Sequence, residues 1–311
     1  MRLVFCGTPR FAVPTLKALI AAGHEIALVV SQPDRPVGRS QQVAPTPVKQ
    51  AALDAGNAVA QPEKIRNNVE FRARLEAIAP DAIVVVAYGR IIPTWMLSLP
   101  RLGCINLHAS LLPMYRGAAP IQWAVAMGET VTGNTTMLLE EGLDTGPILM
   151  QKEIAISPEQ TAADLFDSLA EEGAPLVVET LAGLDRGTIH PKAQDHALAT
   201  LAPLLQRDDG RMDFAARTAT ELWNRWRGFQ PWPGAFTMLD GKKLIVHRMR
   251  VAEGAGSGVP GEIRIDHHQM LVGCAQNTCL ELIEIQLEGK KRMSAAEFLR
   301  GTAVPPGTRL G

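Results

Sequence analysis

An α/β fold, a doubly wound and mostly parallel sheet followed by a smaller OB-like β-barrel domain, is predicted by three features of this 311-residue sequence. Short, continuous apolar runs recur through the first half, separated by helical segments. Composition shifts between residues 184 and 210. Beyond that stretch come five alternating runs bounded by turn residues.

The first strand is RLVFCG at 2–7, ending in Gly7. A helix should run from about Pro14, whose fixed φ suits a first turn, to Ala22, with Gly23 able to cap it. EIALVV at 25–30 is the second strand and NAVA at 57–60 the third. Residues 68–78 read as a helix, DAIVVVA at 81–87 as a strand buried on both faces, and GCINLH at 103–108 as the next strand. A sheet of this type binds ligands outside the carboxyl ends of its strands, so the side chains standing there are the candidates for function. Residues 162–182 form a long helix, after which LDRGTIHPKAQD and RDDG are irregular. The expected division is therefore a first domain over 1–188, a linker over 189–204 and a second domain over 205–311. In the second, a helix over 214–227 is broken by PWPG, and alternating runs follow at 235–239, 243–251, 261–265, 269–275 and 279–287. Five such strands suggest a small open barrel, a common platform for nucleic acid.

Composition excludes several classes. Apolar residues make up 46% and charged residues 20%, ordinary for a globular chain. The formal net charge of -1 gives no overall pull on nucleic acid, so an RNA partner needs local positive patches. Residues 1–204 carry 16 Lys and Arg against 20 Asp and Glu, while residues 205–311 carry 15 against 12. The second domain is thus the more cationic. Cys6, Cys104, Cys274 and Cys279 lack metal-site spacing; they read as buried reduced thiols, and no metal is expected. No window reaches the ~18 uninterrupted apolar residues of a membrane span, so we expect a cytoplasmic protein with no membrane partner.

FCGTP after the first strand invites a dinucleotide reading, but Thr8, Pro9, Arg10, Phe11 and Ala12 follow Gly7 and the G-x-G-x-x-G pattern is missing. The turn instead presents Thr8 near the carboxyl edge as a substrate contact. INLHASLLPMYRGAAP at 105–120 is richer. Asn106 and His108 lie two apart on a strand and point the same way. Two polar groups at the end of an apolar strand are costly unless both find partners, in a reaction or in ordering the loop. Asp144, in EEGLDTGP between Gly142 and Gly146, is a carboxylate whose loop can enter a crevice, or an ordinary turn aspartate.

With these segments in view, the sequence resembles the methionyl-tRNA formyltransferases. The resemblance rests on FCGTPRFAVPTLKAL at 5–19, QPDRPVGR at 32–39, PTPVK at 45–49 and VVVAYGRIIP at 84–93. It continues through GCINLHASLLPMYRGAAPIQWA at 103–124, GLDTGPIL at 142–149, NRWRGFQPWPGAF at 224–236 and MSAAEFL at 293–299. It implies a formyltransferase-type catalytic domain, a tRNA-binding barrel-like domain, 10-formyltetrahydrofolate as co-substrate and initiator methionyl-tRNA as acceptor. It implies catalytic roles for Asn106, His108 and Asp144 and folate contacts from Ser110, Leu111, Leu112 and Pro113. Tyr88 and Ile91 join these as candidates for lining the folate slot. Two other readings stay open: a folate-dependent enzyme formylating an amino-sugar nucleotide, and a formylfolate hydrolase.

Formyl transfer to an amine needs an unprotonated nucleophile, and an α-amino group titrating near ~7.7–8.0 supplies one without a covalent enzyme intermediate. Asn106 can donate to the oxyanion, His108 can exchange protons and Asp144 can orient or polarise the imidazole. Arg116 can meet a negative tail or phosphate, or tie its loop to a carboxylate. Arg39 is the one cation kept in GRSQQV, where the family usually carries a lysine-rich stretch, and Asn134 stands where the family commonly has an apolar residue. For tRNA we expect Lys242, Lys243, Lys290 and Lys291, with further cations at Arg225–Arg227, Arg248–Arg250 and Arg292. Trp223, Trp226 and Trp232 are expected to pack rather than stack on bases, and the chain is expected to be a monomer.

Overall fold

The computed structural model describes residues 1–37, 42–252 and 258–311. Arg39 lies outside the described residues. Two compact units are present: one comprises residues 1–120, 131–155 and 164–203, the other residues 121–130, 156–163 and 204–311.

The first unit is built on strands β1 (Arg2–Gly7), β2 (Glu25–Val30), β3 (Val59–Ala60), β4 (Ala82–Val86), β5 (Cys104–His108), β6 (Val131–Leu138) and β7 (Ile148–Ala155). Their order in the sheet is β7-β6-β5-β4-β1-β2-β3. Pairing is parallel from β3 through β5 and antiparallel for β5–β6 and β6–β7. The order reverses between β1 and β4, which opens a crevice at their carboxyl ends. One face packs Val4, Cys6, Leu28, Val30, Ile83, Val85 and Cys104 against Phe71, Leu75, Tyr88 and Met96. This double burial is why these strands read as unbroken apolar runs.

Helix α1 spans Val13–Ala21, with Pro14 in its first turn. Gly23, at φ +78°, closes it by donating to Ile20, while His24 donates to Leu19. Helix α2 (Pro47–Asp54) starts at Thr46, whose hydroxyl accepts from the Lys49 amide, and α3 (Val69–Ile78) starts at Asn68, which accepts from Phe71. The long helix α4 covers Ala162–Asp185 and contains Pro175.

The β6–β7 hairpin was not expected from the sequence. Its strands, VTGNTTML and ILMQKEIA, carry polar residues that obscure the alternation. Asn134 in β6 is fully buried and donates Nδ2 to the Leu169 carbonyl of α4 at 2.8 Å. Thr136 meets Thr180 of the same helix at 2.8 Å. The two contacts form a polar seam between strand and helix, and account for an amide where an apolar residue is the family habit.

The second unit holds β8 (Ala235–Leu239), β9 (Lys242–Val251), β10 (Ile263–Asp266), β11 (Gln269–Gly273), β12 (Cys279–Leu287) and β13 (Met293–Ser294), with helices α5 (Ala219–Gly228) and α6 (Ala295–Gly301). The sheet runs β8-β9-β12-β11-β10, and β13 pairs β12. Alternate residues Leu244, Val246, Met249, Met270, Val272, Leu280, Leu282 and Ile285 face one core with Leu222 and Phe298. Helix α5 begins five residues after the expected start because Thr218 and Glu221 form a capping box there. Among the described residues no strand pairing joins β8 to β10. The C-terminal residues span that gap, with Leu310 donating to Gly261 and Gly311 to Met238.

Candidate active site

Three turns meet at the carboxyl ends of β1, β2 and β4. Thr8 Oγ1 donates to the Tyr88 carbonyl at 3.1 Å, and Gln32 Nε2 donates to the Tyr88 and Gly89 carbonyls at 3.0 Å each. Gly89 has φ +78°, and a Cβ there would stand 2.7 Å from the Gln32 amide, so only glycine suits the position. Asp34, just beyond β2, pairs with Lys49 and accepts from Gln61 at 2.7 Å. Those bonds hold its carboxyl below the usual carboxylate range, the lysine contributing most.

The parallel pairing of β4 and β5 sets Asn106 opposite Val85, and Asn106 Nδ2 donates to the Val85 carbonyl at 3.0 Å. One N–H of the amide is free of that bond, and its buried Oδ1 has no hydrogen-bond partner among the described residues. His108, two residues on and only 6% exposed, bonds through Nε2 to the Tyr115 carbonyl at 2.9 Å. A carbonyl only accepts, so Nε2 carries the hydrogen. Nδ1 is therefore the ring atom left to gain or lose a proton. It faces Asp144 Oδ2 at 3.7 Å, too long for a hydrogen bond and close enough for charge attraction.

Asp144 takes a left-handed backbone, φ +50°, and its Oδ2 accepts from the Gly117 amide at 2.8 Å. The structure thus brings Asn106, His108 and Asp144 to one edge of the sheet. Ser110 is fully buried, with Oγ donating to the Met114 carbonyl at 2.7 Å. Leu112 is buried, and its amide donates to Thr135 Oγ1 at 3.1 Å while its carbonyl accepts from Gln151 Nε2 at 2.9 Å. Thr135 and Gln151 thus brace the 110–113 turn, an assignment the sequence pattern does not supply. Leu111 and Pro113 are half-buried, and Ile91 is 92% exposed. Tyr88 is buried in the sheet's apolar cluster with its hydroxyl unpartnered, and burial pushes its phenol upward.

Arg116 is buried. It ties its loop down, but through an amide and an imidazole rather than a carboxylate: Nε and Nη2 donate to Gln194 Oε1 at 3.1 and 2.6 Å, and Nη2 lies 3.1 Å from His196 Nδ1. Residues 192–202, read from sequence as linker, pack with the first unit as a strap. Lys192 pairs with Ile148, Thr200 accepts from Tyr115 and Arg116, and Ala202 accepts from Ala119. Gly117, φ +125°, has no room for a side chain under this strap, since a Cβ would stand 2.6 Å from the Ala202 carbonyl.

All four cysteines are buried thiols. Burial raises Cys104 and Cys274 to about 12 and Cys6 well above its ordinary value, so none of these three is a ready nucleophile. Among the described residues no group of three or more His, Cys, Asp or Glu can hold a metal ion. No helix of the described residues is long and apolar enough to cross a membrane.

In the second unit the cations divide. Arg225 lies 4.8 Å from the Phe229 ring centre and donates to the Asp209 carbonyl; Arg227 is buried and donates to Gln160 and Asn224. Arg250 pairs with Glu281 and Arg292 with Glu284. Lys242, Lys290 and Lys291 are exposed, and Lys243 lies over Phe236 at 3.8 Å. The β9–β12 register puts Lys242–Lys243 beside the turn that carries Lys290–Lys291, with Glu288 donating to the Lys243 carbonyl. Trp223 and Trp226 stack on each other and pack against the core, while Trp232 is exposed.

Comparison with known proteins gives a consistent result. Residues 1–181 match the family described as formyl transferase, and residues 204–303 its C-terminal domain. The chain is 66% identical over 311 residues to the methionyl-tRNA formyltransferase of Acidobacterium capsulatum, covering 100% of both chains. Among solved structures, an N-formyltransferase from Helicobacter canadensis, in complex with folinic acid and dTDP-3-aminofucose, shares the fold. Its TM-score is 0.66 at 17% identity, over 90% of this chain and 98% of that one. HypX from Aquifex aeolicus also shares the fold, at TM-score 0.63 and 18% identity. The match covers 98% of this chain but spans about half, 49%, of HypX.

Proposed function

The chain belongs to the methionyl-tRNA formyltransferase family, and from that premise we propose how its residues divide the reaction. The protein transfers the formyl group of 10-formyltetrahydrofolate to methionyl-tRNA. The observation that carries the site assignment is the convergence of Asn106, His108 and Asp144 at the carboxyl edge of β5, with His108 Nδ1 facing the Asp144 carboxylate.

The co-substrate supplies the formyl carbon. The residues around the crevice suit it: half-buried Leu111 and Pro113 and exposed Ile91 offer apolar surface, Ser110, Leu112 and Tyr88 are buried, and Asn106 retains an N–H for an acceptor. The Asn106 amide, held to Val85 by one N–H, donates the other to the formyl oxygen as negative charge develops there. His108 exchanges its proton at Nδ1, accepting one as the amine gives it up and returning it as the folate nitrogen leaves. Asp144 stabilises the imidazolium formed between those events. The incoming α-amine attacks directly, and no side chain is acylated, in keeping with the deeply buried thiols. Thr8 borders the same edge and contacts the acceptor amine.

We also assign the acceptor as initiator methionyl-tRNA and divide the work between a catalytic domain, residues 1–188, and a tRNA-binding domain, residues 205–311. The second sheet is read as an open OB-like barrel, supported by its β8-β9-β12-β11-β10 path and the C-terminal residues spanning its gap. Lys242, Lys243, Lys290 and Lys291 contact tRNA phosphates, and Arg39 adds a further contact. Arg116, buried against Gln194, shapes the catalytic loop. The working form is a cytoplasmic monomer. The test is a transfer assay with labelled formylfolate and a panel of amines. Initiator methionyl-tRNA should be formylated far faster than an amino-sugar nucleotide, and formate release without acceptor should be slow. Comparable transfer to the sugar, or hydrolysis at the transfer rate, would overturn the assignment.

A further inference from the structure

The buried side chain of Gln194 has every hydrogen-bonding position filled, and its partners come from both loops of the active site. Its Nε2 donates to the carbonyls of Asp144 and Gly146 at 2.8 and 2.7 Å. Its Oε1 accepts twice from Arg116, at 3.1 and 2.6 Å. An amide offers two donor hydrogens and one oxygen with two lone pairs, so the count closes. Beyond it, Arg116 is flanked by Tyr115, whose carbonyl binds His108 Nε2, and by Gly117, whose amide binds Asp144 Oδ2. Gln194 thus closes a circuit that fixes His108 from one side and Asp144 from the other.

We propose that Gln194 is a positioning residue for formyl transfer, acting through Asp144 by clamping the 144–146 backbone to the 115–117 loop. The clamp is needed because Asp144 sits in a left-handed conformation, which a non-glycine residue keeps only when its surroundings enforce it. Only an amide fits the place. A carboxylate would keep the pairing with Arg116 but turn an oxygen toward two carbonyl oxygens. The inference rests on the reading of His108 and Asp144 as the reacting pair.

The experiment is a double-mutant cycle on the full chain, with single-turnover transfer to methionyl-tRNA and the formylfolate KM measured for Gln194→Glu, Asp144→Asn and the pair. Gln194→Glu should lower the transfer rate ~10–100-fold, the loss expected of a misplaced reacting group. Its formylfolate KM should stay within ~2-fold and its unfolding midpoint near wild type. In the Asp144→Asn background the same substitution should cost less than ~3-fold, because the group it positions is already disabled. A full loss in both backgrounds, or a loss carried by KM, would overturn the proposal while leaving the site reading intact. Asp144→Asn turning over at the wild-type rate would instead remove the site reading, and this proposal with it. Should Gln194→Glu fail to fold, Gln194→Asn keeps the amide on a shorter stem, and the same two outcomes decide.

Discussion

Two polar regions of this molecule are built on opposite plans. At the carboxyl edge of the first sheet, His108, Ser110, Arg116 and Gln194 are all buried, and each is hydrogen-bonded to a backbone or side-chain partner. At the β9 and β12 ends of the second sheet, Lys242, Lys290 and Lys291 stand in solvent. The contrast follows from the work assigned to each. Stabilising charge that appears during a reaction requires donors held in place where water is scarce. Holding a phosphate backbone requires only several cations spread over a surface, each contributing weakly. One substitution should therefore disable the first region, whereas the second should yield only to several.

The largest effect should come from His108→Ala, which removes the proton-exchanging ring and should cut kcat by ~10²–10⁴ in a steady-state transfer assay with the fold retained. Turnover near wild type would move proton transfer to another group. Asn106→Ala should lower kcat by ~10²–10³ with the formylfolate KM little changed, because its free N–H is used chiefly when the formyl oxygen becomes negative. A pure KM effect would make Asn106 a substrate-positioning group. In the second region, alanine at Lys242, Lys243, Lys290 and Lys291 together should weaken tRNA binding. It should also flatten the slope of log affinity against log salt by about 3, as expected for four lost phosphate contacts. An unchanged slope would mean that tRNA does not lie on this edge. Cys104→Ala should keep turnover within ~2-fold, since a thiol held at about 12 is not the nucleophile. Abolished transfer with the fold intact would revive a covalent route.

The first sheet was legible because burial on both faces leaves unbroken apolar runs: RLVFCG, EIALVV and the core of DAIVVVA became β1, β2 and β4. The β6–β7 hairpin was not, because its strands interleave Thr, Asn, Gln, Lys and Glu with apolar residues, and Asn134 Nδ2 and the Thr136 hydroxyl find partners on the helix packed against them. Asn106 and His108 stood out as polar residues at the end of an apolar strand, and strand periodicity aligned them. Their approach to Asp144 depends on a turn 36 residues beyond His108 and could be offered only as a partnership to test. Gln194 gave no signal. It lies in an irregular segment of linker composition, and its value comes from contacts 78 residues back to Arg116 and 50 back to Asp144. Arg225 and Arg227 taught the reverse, since a basic run in sequence became two arginines engaged with rings, carbonyls and an asparagine.

The comparison between the two regions is tested most directly by measuring two variants on two acceptors. Single-turnover formylation would be followed for His108→Ala and for the four-lysine variant, with initiator methionyl-tRNA and with a minimal methionyl ester at saturating formylfolate. His108→Ala should lose ~10²-fold or more on both acceptors, because the same proton must move in each. The four-lysine variant should lose rate on subsaturating tRNA at moderate ionic strength yet formylate the ester as wild type does. Equal loss toward the ester by the lysine variant, or survival of either acceptor's reaction in His108→Ala, would contradict the division of labour.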